Sequence, residues 1–442
     1  MKLDLLILDG SVVDPEKLEI YKANIGVEGD SIVYVGSDAP TDAKVTIDAK
    51  GLYVSPGFID THVHDEKLDE DDVERALLLQ GVTTAVAGNC GLGPILSDAL
   101  LSKPRYMRIG FFTGHQTLRQ EVGLNDVYMP ADSKAIKEMV EILKQELSKG
   151  SFGLSLGLEY VPGASYSEIS ELAKAVGQYD KKWVSIHIRY DGERSLEGVK
   201  EAISLARECG VRVQISHLAS MASFGCLDKA LEMIEEAKPH ADITFDSYPY
   251  RAFCTRIGSA VFDPGFEKRW KKGFSSLQVA SGKYRGKRLT QELYVKLRKE
   301  EPDTLIIAHV MNEEEVKVAL KHPDCMIASD ALMENGQGHP RACGTFPRAF
   351  RILLKEGLSW PEIVRKATYL PAKASWLEDR GVIKQGCKAD LVVFHPKKIA
   401  DCATFKEPNL PPKGIEYVVL GGKIAVQKGI LFEPEGEVML RR

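Results

Sequence analysis

The chain has 442 residues, 44% of them hydrophobic and 27% charged, the balance of a globular protein with a sizeable buried core. A net charge of -5 excludes a global attraction to nucleic acid or to anionic membrane surfaces. No apolar run is long enough to span a bilayer, and eight scattered cysteines without a CxxC pair point to reduced thiols rather than a disulfide framework.

The N-terminal run from Met1 to Gly10 is a short apolar stretch interrupted by acids. It reads as a strand rather than an export signal, so a cytoplasmic protein is expected. Strand-like segments cover 3–8, 23–28, 31–35 and 45–48, with tight turns expected at Asp9-Gly10 and Gly29-Asp30. The other end looks alike, with strands over 390–394, 415–420 and 423–426 and a turn at Gly421-Gly422. Two β-rich ends predict one small β-sandwich domain assembled from both termini, residues 1–55 plus 385–442.

Between them, residues 56–384 alternate short apolar strands with amphipathic helices. Helices are predicted over 133–149, 167–181, 195–209 and 227–237, the second opened by Ser165-x-x-Glu168 as a capping box. Intervening strands are read at 81–87, 183–189, 211–217, 242–248, 304–309 and 325–330. Repeated βα units imply an α/β fold with a parallel sheet, and about eight of them favour a closed (β/α)8 barrel. No glycine-rich phosphate loop opens a helix after a strand, so nucleotide binding falls away. Residues 263–303 break the alternation with Lys and Arg; they are read as a lid insertion or a solvated surface helical insertion.

Chemistry-bearing residues collect where the barrel strands end. His62 and His64 lie one residue apart at the end of an apolar strand, so both imidazoles leave the same face and can share an ion. Cys90 follows the strand at 81–87, His187 and His217 end two further strands, and Asp330 ends the last. Four imidazoles, a thiol and a carboxylate suffice for two metals sharing a ligand. A thiolate between two dications neutralises both, and a nearby carboxylate can take and return a proton. His309 ends a strand and is read as lining the cavity at most; His240, His322, His395 and the remaining cysteines are read as ordinary structural residues.

These residues resemble the amidohydrolase superfamily, in its N-acyl-D-amino-acid deacylase (D-aminoacylase) branch. The matching runs include Pro56-Gly57-Phe58-Ile59-Asp60-Thr61-His62-Val63-His64, Gly88-Asn89-Cys90-Gly91, Gly157-Leu158-Glu159-Tyr160-Val161-Pro162-Gly163 and His187-Ile188-Arg189. Ile215-Ser216-His217, Asp246-Ser247-Tyr248-Pro249-Tyr250, Ser329-Asp330 and His339-Pro340-Arg341-Ala342-Cys343-Gly344-Thr345-Phe346 complete them, so that the likeness covers nearly the whole chain.

The resemblance implies zinc-assisted hydrolysis of a linear amide. His62 and His64 would hold one metal with Asp330 nearby, and Cys90 would bridge to a second metal held by His187 and His217. The second site is the tight, working one in this branch, so one zinc suffices and the other binds more weakly. Asp330 would be the base, passing its proton to the leaving nitrogen. Arg341 would grip the substrate α-carboxylate, with Tyr248 as its hydroxyl-bearing helper. Many relatives bridge with a carboxylated lysine, but no lysine occurs from Ser151 to Val161; Glu159, the only acid there, is read as structural. Two departures concern the pocket: His217-Leu218-Ala219-Ser220 lacks the lysine that relatives often carry after this histidine, and Arg251-Ala252-Phe253-Cys254 replaces a run of small residues. Arg251 or Arg256 reading an acidic side chain is one expectation; an arginine bridging loops is the other. Arg348 is read as structural. The expected partner is a small N-acylated amino acid, with no nucleic acid and no membrane. Hydrolysis of a cyclic amide or dipeptide, and a non-catalytic metal-binding barrel, remain the alternatives.

Overall fold

The computed structural model describes residues 3–38, 42–65 and 70–441. Eight strands form the barrel: Phe58–Val63, Val82–Ala87, Arg108–Phe111, Gly153–Gly157, Trp183–His187, Arg212–Ile215, Ile243–Ser247 and Cys325–Ile327. Their ladders are parallel. Two backbone seams close the ring. Phe152 N donates to Phe111 O at 2.8 Å between the third and fourth strands. Asp330 N donates to His62 O and His64 N to Ala331 O, both at 2.9 Å, between the eighth strand and the first. The second seam runs through three predicted site residues, so closing the barrel also sets their backbone.

Phe58–Val63 and Val82–Ala87 are buried at every position. Continuous burial is what a parallel strand shows when side chains fill the barrel and helices cover its outside. The helices Ser133–Lys149, Ser195–Cys209 and Leu227–Ala237 match the predicted spans, while Tyr166–Val176 ends before the expected boundary. Ser165 caps that helix by accepting from Glu168 N at 3.1 Å. The return half of the capping box is missing, because the buried Glu168 carboxylate pairs with His115 at 2.7 Å and Arg119 at 2.6 Å.

Three expectations change. The strand read at 304–309 exists as Leu305–Ala308 but lies outside the barrel, antiparallel to Phe253–Arg256 and Leu277–Val279 in a separate sheet. A short apolar run does not reveal its partner's direction. Asp9-Gly10 is no turn: Leu3–Asp14 runs on as one strand with a register shift there, absorbed by the left-handed backbone of Asp9 (φ 56°). The C-terminal residues leave the β domain. Gly436 bridges to Arg105, Val438 to Ile109, and Arg441 lies over the rings of Phe152 and Trp183.

The β domain itself joins strands from both ends of the chain in one nine-stranded sheet. The sheet branches at Leu3–Asp14, whose first part pairs with Ala43–Asp48 and whose second part pairs with Tyr53–Pro56. It folds around Ile7, Val12, Ile25, Val27, Leu391 and Val393. The insertion at 263–303 carries helices Phe266–Trp270 and Gln291–Glu300 around an aromatic cluster of Phe266, Trp270, Phe274 and Tyr294. Several of its cations are spent on ion pairs, Arg298 with Asp263 at 2.7 Å and Lys271 with Glu193 at 2.6 Å among them. Among the described residues, no helix is long and apolar enough to cross a membrane.

Candidate metal centre and active site

The six residues expected as metal ligands converge at the C-terminal end of the barrel. Cys90 Sγ lies 3.4 Å from His62 Nε2, 3.6 Å from His187 Nδ1 and 3.6 Å from His217 Nε2. Asp330 Oδ1 lies 3.1 Å from His64 Nε2 and 3.5 Å from His62 Nε2. The ligand atoms of His62, Cys90 and His217 fall within 4.8 Å of one another, and so do those of His62, His64 and Asp330. Two overlapping donor sets therefore share His62.

Local backbone aims these groups. Cys90 (φ 53°), His217 (φ 35°) and Asp330 (φ 51°) all sit in the left-handed region, which costs a residue other than glycine about 1–3 kcal/mol. Each ends a strand with a sharp turn that swings its side chain over the barrel mouth. Gly157 makes room for one of them, because a Cβ there would stand 2.0 Å from Cys90 O. Gly157→Ala is expected to cost about 1–3 kcal/mol by displacing the Cys90 turn, read as a lower unfolding temperature together with lower metal content.

Charge holds Cys90 and Asp330 in their anionic forms. Burial alone would push the Cys90 thiol up, but the His62 charge and hydrogen bonds from His187, His217 and His62 hold it well below its ordinary value. Burial would likewise raise Asp330, yet Arg341 and His62 keep its carboxyl well below the usual carboxylate range. Asp60, fully buried, goes the other way and rises to about 7.

Arg341 stands behind Asp330, with Nη1 2.8 Å from Asp330 Oδ2 and Nη2 donating to Cys254 O at 3.2 Å. Its guanidinium packs 5.0 Å from the Tyr248 ring centroid. Both side chains are buried, and among the described residues Arg341 Nε and the Tyr248 hydroxyl have no hydrogen-bond partner. A cavity of about 480 Å³ opens beside the cluster, lined by His64, Cys90, Asp330 and Tyr160 and walled by apolar residues such as Val127 and Met333. Arg256 lines it too but is already paired with Glu334 and with Asp303 O. Arg251 is largely exposed and lies 3.6 Å from Glu313. His309 stays outside the cluster, bonded to Gln278 at 3.0 Å and packed on Phe405. Arg348 ties Pro249 O to Asp401.

The amidohydrolase family model matches residues 53–425. The chain belongs to the amidohydrolase family. D-aminoacylase of Alcaligenes xylosoxydans xylosoxydans is 31% identical over 468 residues, covering 95% of this chain and 93% of that protein. N-acyl-D-glutamate deacylase from Bordetella bronchiseptica has been solved with zinc and a phosphonate inhibitor that mimics the tetrahedral intermediate. It matches with a TM-score of 0.89 at 26% identity over 100% of both chains. A D-aminoacylase structure that addresses its binuclear metal centre, with one-metal activation and second-metal attenuation, gives 0.89 at 30% identity over 100% of both. The (β/α)8 barrel with its β domain is thus the fold of this amidohydrolase and of these relatives.

Several residues that orient the cluster carried no role in the sequence reading. Asp246 Oδ1 accepts from His217 N at 2.8 Å, and its Oδ2 stands 3.6 Å from His62 Nδ1 and accepts from Gln214 at 2.7 Å. Asp60 accepts from His62 N and Ser329 N, pinning the eighth strand to the first. Asn89 donates to Val86 O and accepts from Ser185. Asp60, Asn89 and Asp246 all lie within the runs that carry the family resemblance, and that was the available signal.

Proposed function

We propose that this amidohydrolase removes the acyl group from N-acyl-D-amino acids, releasing a carboxylate and a free D-amino acid. The observation that carries the reading is the buried Arg341–Tyr248 pair beside Asp330, in which Arg341 Nε and the Tyr248 hydroxyl find no hydrogen-bond partner among the described residues. A buried guanidinium and hydroxyl in that state call for an anionic acceptor, and a planar carboxylate matches a guanidinium best. A substrate anchored there by its α-carboxylate places its amide next to Asp330 and the Cys/His cluster. The D-aminoacylase and D-glutamate deacylase relatives support the linear N-acyl-D class.

The donor set fits zinc: one buried thiol held toward thiolate, three imidazoles around it, and a neighbouring His/Asp pair. Cys90, His187 and His217 would hold the tighter ion, and His62, His64 and Asp330 the weaker. When bound, the ion supplies a Lewis acid that polarises the amide carbonyl and acidifies water. The chain's own residues do the rest. Arg341 and Tyr248 orient the substrate, and Asp330 takes a proton from the attacking water and delivers it to the leaving nitrogen. Arg256 and Arg251 are already paired, so recognition of an acidic side chain is not assigned to them. All eight cysteines are free, which suits a reducing cytoplasm.

The test compares an N-acetyl-D-amino acid with its uncharged α-amide. Arg341→Ala is expected to lower kcat/KM on the acid by about 10²–10³-fold, in line with about 2–5 kcal/mol for truncating one partner of a buried charge pair. The α-amide should lose much less. Equal losses on both substrates would show that Arg341 serves only Asp330 and would remove the α-carboxylate from the reading.

A further inference from the structure

Beside the metal cluster lies a second buried polar group that the chemistry above does not use. Glu159 Oε2 lies 2.9 Å from His187 Nε2, on the opposite edge of the imidazole from Nδ1, which faces Cys90. The other carboxylate oxygen, Oε1, is 3.2 Å from Arg269 Nη1. Arg269 Nε in turn lies 2.9 Å from Asp191 Oδ1, and the Trp270 indole donates to Asp191 Oδ2. The carboxylates of Glu159 and Asp191 are only 6% and 3% exposed, so their mutual repulsion is poorly screened by water. Arg269 spans both. Arg269 and Trp270 come from the helix Phe266–Trp270 of the insertion, not from a barrel element. Glu159 and Asp191 line both the small chamber at His187 and an outer groove of about 600 Å³, and Arg269 lines the groove.

The geometry points to Glu159 and Arg269 as positioning residues for His187, with the insertion acting as a brace for the metal site. Glu159 accepts the Nε2 proton of His187 and so leaves Nδ1, the nitrogen on the Cys90 side of the ring, as the one that would give its lone pair to a metal. Arg269 holds Glu159 in that pose by offsetting the neighbouring Asp191. A carboxylate behind a ligating histidine is a general device for fixing ring orientation and ligand basicity. Here the carboxylate is itself held by a cation from the insertion, so the insertion influences metal affinity without touching the metal. The inference rests on the reading of the Cys/His cluster as a metal site.

Cobalt titration of the metal-stripped full chain tests it, following thiolate-to-cobalt absorption and competition with a chelator. Glu159→Gln and Arg269→Ala are each expected to weaken Co²⁺ binding by about 10–100-fold. The double variant should be no weaker than the worse single one, because the two residues act in series. Arg269→Lys should recover part of the loss. Lys271→Ala, which removes only the exposed pair with Glu193 at the end of the same helix, should bind as wild type does. The nearly isosteric Glu159→Gln keeps the test decisive if Arg269→Ala folds poorly. Wild-type affinity in Arg269→Ala, or additive losses in the double variant, would overturn the brace while leaving the metal site standing. A wild-type chain that binds no cobalt would overturn the metal site and the brace together.

Discussion

Asp330→Asn is expected to keep its metal and lose about 10²–10⁴-fold in kcat, the usual worth of a positioned acid–base group. The amide is nearly isosteric and retains an acceptor for His64, which lies 3.1 Å away in the native protein. What it lacks is the capacity to take a proton from water and return it to nitrogen. The substitution also removes the counter-charge that stands 2.8 Å from Arg341. An uncompensated buried charge costs about 3–5 kcal/mol, so the variant should unfold at lower temperature. A substrate carboxylate can take over that role, so KM should stay level or fall while kcat collapses. Steady-state kinetics and metal analysis of the same preparation check both halves. Near-normal turnover would remove Asp330 from the proton-transfer role.

Cys90→Ala should have the other large effect, through binding rather than turnover. Sγ is the atom that three imidazoles face at 3.4–3.6 Å, and His62 links it to the second donor set. Without it the buried histidines lose the anion that offsets the ion's charge. Metal affinity should fall by more than the roughly 10–100-fold that follows loss of an outer partner. Activity should follow the metal and return only at high metal concentration. Chelator competition measures the first, and activity against added zinc the second. Unchanged metal content would place the ion elsewhere.

The barrel and the cluster were largely legible in the amino-acid order, because period and position carry them. Apolar runs ending in His62, His64, His187, His217 and Asp330 have few explanations other than a shared site at one barrel end. Strand direction is not legible in a short apolar run: Leu305–Ala308, expected in the barrel, pairs antiparallel outside it. The left-handed turns at Cys90, His217 and Asp330 were hidden too, since none of the three is a glycine. Long-range support was the hardest to see. Arg269 acts on Glu159 across 110 positions of chain and looked like one cation among many in a basic segment. The insertion, expected as a lid or a solvated surface segment, makes its most specific contacts inward, to Glu159 and Asp191.

The most direct measurement is release of free amino acid from matched N-acetyl-D- and N-acetyl-L-amino acids, by the protein as purified, stripped with chelator, and reloaded with zinc. The D series should be hydrolysed, with that activity lost on stripping and recovered with zinc. A protein that holds metal yet releases no amino acid from the D series, or that works equally well when stripped, would contradict the proposed function.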